Sequence, residues 1–134
     1  MTAPRDDRAV AHASAVAGLV GVFAYQGLVP KVWKVDGDEV ARWRGLGLSE
    51  SHARTLVRTI GAVEAGFAIA TATRSAKRWP FVIALAAMPT LAIGSATTDR
   101  SVLTKAFNPG SLGIAVMALA GAALATRDGS AEHR

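Results

Sequence analysis

Residues 9–30 of the chain, AVAHASAVAGLVGVFAYQGLVP, carry no formal charge over 22 positions. A helix on the surface of a soluble protein presents charged residues along its outer face. Every face of this stretch is apolar or small, so its outer side must meet lipid or another helix. Its length also matches the roughly 20 apolar residues that cross the hydrocarbon core of a bilayer. The stretch therefore predicts a membrane-spanning helix.

The same pattern recurs three more times along the chain, over residues 59–73, 79–98 and 106–126. The four stretches together hold one formally charged side chain, Glu64, although the chain has 15 Lys and Arg and 10 Asp and Glu. We therefore predict an all-α fold, a four-transmembrane-helix bundle that forms a single membrane domain over residues 1–134. The spans are expected at about residues 9–29, 56–73, 79–98 and 108–126.

Residues 31–55 form the longest connector between predicted spans. Pro30 is expected to end the first span, because proline does not easily continue a helix. Within the connector, Asp38–Arg44 (DEVARWR) has the pattern of a short amphipathic helix. Trp33 and Trp43 suit the headgroup region of a membrane, where indole rings are enriched. The sequence thus predicts a short amphipathic interfacial helix between helices 1 and 2.

Glu64 lies near the middle of the second predicted span. An ionisable group at that depth is costly unless it is protonated, paired or wetted, so it is a functional-site hypothesis by default. The alternative is structural, with a protonated or hydrogen-bonded Glu64 holding helices together. A Glu64→Gln substitution separates these two roles. Glutamine has nearly the same shape and can still form hydrogen bonds, so a structural role in helix association should be retained. A role in binding a proton or a cation should be lost.

Other polar residues should lie on the same side of the membrane as Glu64. Tyr25 shares a helical face with the small residues Ser14, Gly18 and Gly21. Small residues let another helix approach closely, so Tyr25 is expected to point into the bundle. We predict a polar pocket that opens toward the long connector. Its candidate ligand-binding residues are Tyr25, Gln26, Lys31, Glu64 and Asn108.

Simpler roles remain open for several of these groups. Lys31 is an interfacial anchor or a ligand contact, and Asn108 is a helix cap or a site residue. Arg58 is an anchor first and a counter-ion for Glu64 second. It lies six positions before Glu64 on a different helical face, which disfavours a direct pair.

The composition excludes several classes of function. The chain has no cysteine, which excludes disulfides, thiolate metal sites and iron–sulfur clusters. The net charge of +5 comes from basic residues scattered among connectors, so no nucleic acid partner is expected. His12 and His52 should lie at opposite ends of the bundle, which disfavours a haem between them, and no spacing predicts a metal site. No nucleophile with a base is visible, so we expect no catalytic residues and no catalysis by the chain itself.

Three segments carry a resemblance to a known family. They are Tyr25–Trp33 (YQGLVPKVW), the Gly61-x-x-Glu64 step, and Phe107-Asn108-Pro109 at the start of the fourth span. In sequence, order and spacing they resemble the DoxX-like membrane proteins over nearly the whole chain. The resemblance implies a compact four-helix membrane bundle, in agreement with the charge pattern.

The resemblance also bears on activity and partners. Members of the wider DoxX group are associated with quinone-linked sulfur oxidation and with membrane oxidoreductase or oxidative-stress assemblies. Similar modules occur fused to epimerase-like or dehydrogenase-like domains, and this chain has no such soluble domain. The resemblance therefore implies a separate oxidoreductase partner protein, with a quinone or lipid as a noncovalent ligand.

Three functions follow, in order of preference. The first is a non-catalytic membrane subunit or anchor that supports a quinone-linked redox or oxidative-stress process through a partner. The second is a small proton-coupled transporter, working as a homo-oligomer, that uses Glu64 as its membrane-embedded carboxylate. The third is an intramembrane enzyme.

The short basic loop Arg74–Arg78 places both termini in the cytoplasm of a multi-pass plasma-membrane protein, by the positive-inside rule.

Overall fold

The structure, a computed structural model, describes residues 5–98 and 109–127, and these residues are helical with short connections and no strand. The helices are α1 (Arg5–Gly27), α2 (Gly37–Gly45), α3 (Glu50–Thr73), α4 (Trp79–Thr98) and α5 (Pro109–Arg127). A π-helical segment, Leu28–Trp33, continues directly from α1. The all-α prediction is confirmed for this part of the chain.

Four of these helical stretches are long and apolar enough to cross a membrane, as the charge pattern predicts. They are Asp7–Trp33, Glu50–Thr73, Trp79–Thr97 and Gly110–Arg127. The third and fourth agree closely with the expected bounds. The first and second are longer than expected, and each difference has a local cause.

The first span does not stop at Pro30, and this expectation was wrong. Proline lacks an N–H, and its ring clashes with the carbonyl four residues earlier in an α-helix. The chain widens into a π-helix here, in which the Lys34 N–H donates to the Val29 carbonyl at 2.9 Å, five residues back. The wider turn accommodates the proline, and Lys31 therefore lies inside the helix rather than after it.

The helix that contains Glu64, α3, begins at Glu50 rather than near residue 56. Ser49 caps it, because the Ser49 Oγ accepts from the His52 N–H at 3.3 Å. Charged residues on its first turns, such as Arg54, are exposed. They were expected to belong to the connector, and they extend the helix beyond its apolar part.

The short helix predicted in the connector is present as α2. The Asp36 side chain accepts from the Asp38 N–H at 2.9 Å and caps its first turn. Val40 is buried against Ala53 and Val57 of α3, and Trp43 packs against this cluster. The apolar face of α2 is thus used to dock on α3, and its interfacial position stays a prediction.

The chain divides into two compact units, which are described separately. The first, the α4–α5 unit, comprises residues 1–19 and 74–134, and the second, the α3 unit, comprises residues 20–73. In the α4–α5 unit, α4 packs along α5. The buried side chains of the two helices recur at helical spacing: Phe81, Ala84 and Met88 on α4, and Val116, Ala120 and Ala123 on α5.

The start of α1 adds a polar contact to the α4–α5 unit. The His12 Nδ1 lies 3.0 Å from the carbonyl oxygen of Ala123, and its ring meets the Phe81 ring edge-on at 5.9 Å. Ala15 and Leu19 continue the buried face of α1 at a four-residue step. This face differs from the one defined by Ser14 and Gly18, which was expected to face another helix.

In the α3 unit, α3 packs against the π-helical segment and against α2. The rings of Phe23 and Phe67 meet edge-on, with centroids 4.8 Å apart. Four residues after Phe23 on α1, Gly27 is buried. The face of α1 that carries Phe23 and Gly27 is therefore the one turned toward α3, and it leads directly into the π-helical segment.

Candidate functional site

Two glycines bring the backbones of α1 and α3 into direct contact. A Cβ added to Gly27 would lie 2.5 Å from the Gly61 carbonyl oxygen and 2.8 Å from the Ala65 nitrogen. A Cβ added to Gly61 would lie 2.5 Å from both the Gly27 carbonyl oxygen and the Lys31 Cβ. Only glycine fits such an approach, as at other close helix crossings. We call this contact the Gly27–Gly61 crossing.

The crossing sets the positions of two charged side chains. Lys31 follows Gly27 by four residues along the helix, and Glu64 follows Gly61 by three, so each lies about one turn from the contact. The Lys31 Nζ donates to Glu64 Oε1 in a close ion pair. The two side chains are only 13% and 21% exposed. The acid in the second span is therefore paired with a lysine from the end of the first.

A second carboxylate approaches the same lysine from α2. Glu39 Oε1 lies 3.9 Å from the Lys31 Nζ, and the Glu39 side chain is 22% exposed. Glu39 occupies the third position of α2, where a glutamate commonly turns back to the N–H of the cap residue. That N–H, of Asp36, already donates to the Pro30 carbonyl at 2.8 Å. The side chain of Glu39 is thereby released to approach Lys31.

We call Lys31, Glu39 and Glu64 the Lys31 cluster. With all three groups ionised its net charge is −1, which partial burial disfavours. Burial raises the pKa of Glu39; Lys31 opposes this shift, and the charge of Glu64 adds to it. Glu64 Oε2 is buried and has no hydrogen-bond partner. The cluster therefore combines a satisfied ion pair with an unsatisfied acceptor.

Tyr25 does not point into the protein, and this expectation was wrong. Its side chain is 60% exposed. At about 100° per residue, Tyr25 lies some 200° around α1 from both Phe23 and Gly27, on the side opposite to α3. The small residues of the Tyr25 face misled the prediction, because they do not all pack alike. A Cβ on Gly18 would lie 3.1 Å from the Leu119 side chain, whereas one on Gly21, the residue nearer to Tyr25, would meet nothing within 4 Å.

The other candidates are placed as follows. Gln26 is half-buried on α1, one residue before the crossing. Lys31 and Glu64 are brought together as described, while Asn108 lies outside the described residues. His52 and Arg58 are exposed, so Arg58 is not the counter-ion of Glu64. The ligand-binding role of Tyr25, Gln26, Lys31, Glu64 and Asn108 stays a prediction.

Glu39 is the member of the Lys31 cluster that sequence reasoning missed. A signal was present in the Asp36-x-x-Glu39 spacing, which marks a helix start with an acid at the third position. The spacing could not reveal that the Asp36 N–H is taken by Pro30. Within residues 5–98 and 109–127, no three His, Asp or Glu side chains come together in a way that could hold a metal ion.

Comparison with known proteins identifies a family model that matches most of the chain. The model of the DoxX-like family matches residues 20–121. No curated protein and no solved structure matches the chain. The matched region includes both glycines of the crossing and all three residues of the Lys31 cluster. Because the match covers well over half of the sequence, the chain belongs to the DoxX-like family.

Proposed function

We propose that this DoxX-like chain is a non-catalytic membrane subunit or anchor that supports a quinone-linked redox or oxidative-stress process through a partner protein. Its four long apolar helices support a multi-pass arrangement, in which the chain contacts membrane lipids over most of its surface. The association with a redox process is taken from other members of the wider DoxX group, which this chain resembles. The residues that we assign to the site are those of the Lys31 cluster, with Gln26 beside it.

The observation that carries this proposal is the Lys31–Glu64 pair at the Gly27–Gly61 crossing. Ionisable side chains inside a span are expensive and mark functional sites more often than structural ones. Here the pair also depends on a π-helical turn, a distortion that recurs at functional sites. A helix interface needs neither feature for packing alone.

The chemistry of the pair suits a head group that carries oxygen. Lys31 supplies N–H donors and Glu64 supplies acceptors, and a quinone or lipid head group contains groups that match both. Beside the pair, the helix presents Leu28 and Trp33 to the outside, with Trp33 86% exposed. An apolar tail or a helix of a partner can lie against this surface.

A second candidate, the small proton-coupled transporter, is favoured by the unpaired Glu64 Oε2. Transport requires Glu64 to exchange its proton or cation during each cycle. The close contact with Lys31 opposes this exchange, because the Lys31 ammonium already occupies one of the two carboxylate oxygens of Glu64. We therefore place the transporter second.

Purification in mild detergent, followed by mass spectrometry of co-purifying proteins and lipids, tests the first proposal. We expect a reproducible oxidoreductase partner or a quinone with the wild type, and its loss in Lys31→Met and Glu64→Gln. Arg54→Met, which removes a charge from an exposed part of α3, is the matched control and should retain both. Absence of partner and quinone, together with proton-driven transport in liposomes that Glu64→Gln abolishes, would establish the transporter instead.

We further propose a plasma-membrane location with both termini in the cytoplasm. The basic connection between α3 and α4, Arg74–Arg78, carries three of the positive charges that favour the cytoplasmic side. Because the chain lacks cysteine, single cysteines report topology without a background. Ser75→Cys should resist a membrane-impermeant thiol reagent in intact cells, and Gly37→Cys should react. The opposite pattern would invert the orientation.

A further inference from the structure

The α4–α5 unit brings three helix ends to one side. The His12 Nδ1 lies 3.0 Å from the carbonyl oxygen of Ala123, which joins the start of α1 to the end of α5. The ring of Phe81, at the start of α4, meets the His12 ring edge-on. The start of α1, the start of α4 and the end of α5 therefore lie together at one end of the unit.

The charged side chains described for this unit lie at that end, and almost all are positive. Over residues 7–19, 74–97 and 110–127 the unit has five Lys and Arg and one acid, the exposed Asp7, which leaves a formal charge of +4. The basic residues are Arg8, Arg74, Lys77, Arg78 and Arg127. An anion is therefore attracted to this end of the unit.

Two of the arginines extend the helix faces that pack inside the unit. Arg8 precedes His12 by four residues on α1, and Arg127 follows the buried Ala123 by four residues on α5. Each arginine thus shares a face with one partner of the His12–Ala123 contact and lies about one turn beyond it, toward the same end. Both are half-buried. The two faces that meet at His12 and Ala123 therefore both end in a guanidinium group.

These two guanidinium groups lack an anionic partner. Neither Arg8 nor Arg127 forms an ion pair with a residue that the structure describes. The Arg127 Nη1 is buried and has no hydrogen-bond partner, which is costly for a charged donor. The dipole of α5 favours a cation at Arg127, but that of α1 disfavours one at Arg8, in the first turn of the helix. An anion between the two would compensate both charges.

We propose that Arg8 and Arg127 bind the phosphate of an anionic phospholipid between the start of α1 and the end of α5. A guanidinium group matches phosphate oxygens through two parallel N–H donors, and basic pockets between membrane helices bind anionic head groups. This site is separate from the Lys31 cluster. The inference goes beyond the subunit function proposed above and needs neither a partner protein nor a quinone.

The position of the site favours a lipid over a free anion. Three of the stretches that can cross a membrane begin or end here, at Asp7, Trp79 and Arg127. The Trp79 side chain is 43% exposed, and indole rings are enriched at the level of the head groups. Val82 and Ile83 follow on α4 with exposed apolar side chains, against which the acyl chains of the same lipid can lie.

Native mass spectrometry of the full chain in detergent tests the proposal. Two lipids with the same acyl chains would be titrated, the anionic dioleoyl phosphatidylglycerol and the zwitterionic dioleoyl phosphatidylcholine. The wild type should bind one molecule of phosphatidylglycerol about tenfold more tightly than phosphatidylcholine. Arg8→Gln and Arg127→Gln should each weaken phosphatidylglycerol binding about tenfold, because each removes charge-assisted hydrogen bonds to the phosphate.

Lys77→Gln is the matched control, because it removes an exposed positive charge from the same end, and it should weaken binding less than about threefold. Arg8→Lys and Arg127→Lys keep the charge and the fold but lose the planar fork, so they should bind more weakly than the wild type. The proposal is overturned if Lys77→Gln weakens binding as much as the two arginine-to-glutamine variants, or if the two lipids bind equally well. Displacement of the phosphatidylglycerol by an equal concentration of inorganic phosphate would likewise overturn it in favour of a free anion.

Discussion

The two units of the molecule use glycine and polar residues in opposite ways. In the α3 unit, Gly27 and Gly61 lie so close that a methyl group on either would meet backbone atoms at 2.5 Å. In the α4–α5 unit, a Cβ on Gly113 would lie 3.8 Å from the Met88 Cβ, an ordinary van der Waals distance. The first contact requires glycine, whereas the second tolerates a side chain.

The polar groups follow the same division. The interior of the α3 unit contains the Lys31 cluster, with two carboxylates around one lysine. The α4–α5 unit packs through Phe81, Val116 and alanines, with His12 bonded to a carbonyl near its edge. Among the described residues of the α4–α5 unit, the buried side chains are apolar. The α3 unit carries a charge arrangement that packing does not require, and we assign function to it for that reason.

The largest expected effect on stability comes from adding a methyl group at the Gly27–Gly61 crossing. Gly61→Ala should lower the free energy of unfolding by about 3 kcal/mol, because backbone atoms cannot move aside as flexible side chains do. Gly113→Ala in the α4–α5 unit meets only ordinary contacts and should not lower it; alanine's better helix propensity should raise it by about 0.5–1 kcal/mol. SDS titration in mixed micelles, followed by circular dichroism, measures both. Similar losses in the two variants would remove the distinction between the units.

The next effect concerns the lysine of the cluster. Lys31→Met leaves two carboxylates without a counter-ion and should cost about 2 kcal/mol, somewhat below the range for fully buried pairs. Arg54→Met breaks the exposed pair with Glu50 and should cost less than about 0.5 kcal/mol. The same titration compares them. Equal costs would show that the Lys31 cluster is no more than a surface ion pair.

A smaller, pH-dependent effect is expected at Glu39. Because the pKa of Glu39 is raised in the folded protein, its contribution to stability is fully present at low pH and is lost as the pH rises through the raised value. Glu39→Gln keeps the neutral form, so it should match the wild type below the ordinary pKa of 4.5 and be more stable at neutral pH. Melting curves across this range measure the difference. A variant that is less stable than the wild type at neutral pH would contradict the raised pKa.

The smallest effect is expected at Tyr25. Its exposed side chain does not lie on the face of α1 that packs against α3. Tyr25→Phe should therefore change the free energy of unfolding by less than about 0.5 kcal/mol. A larger loss would mean that the phenol group is bonded inside the protein. The same variant tests whether the hydroxyl contributes to binding of a quinone or lipid.

The charge pattern predicted the four long helices because a membrane-spanning helix needs a long stretch of uncharged residues, and such a stretch can be recognised from the sequence alone. It also identified Glu64, whereas the Gly61-x-x-Glu64 step came from the resemblance to the DoxX-like proteins. The pairing of Glu64 with Lys31 could not be predicted, because it depends on Pro30 widening the helix instead of ending it. A proline is compatible with either outcome locally, so the sequence around Pro30 does not decide between them.

The face of α1 was predicted wrongly for a related reason. Small residues occur on two faces of this helix, one with Gly18 and Gly21 and one with Gly27. Composition does not distinguish them, whereas the edge-on contact of Phe23 with Phe67 does. The role of Glu39 likewise depends on one hydrogen bond, from the Asp36 N–H to Pro30, that no pattern in the sequence predicts.

The most direct test of a functional charge cluster at the glycine crossing is a double-mutant cycle. Unfolding free energies would be measured for the wild type, Lys31→Met, Glu64→Gln and the double variant in the same detergent. We expect a coupling of about 1–2 kcal/mol, with the double variant losing less than the sum of the single losses, because the two side chains share one ion pair. Losses that add within about 0.5 kcal/mol would contradict a direct Lys31–Glu64 pair, and with it the site proposed here.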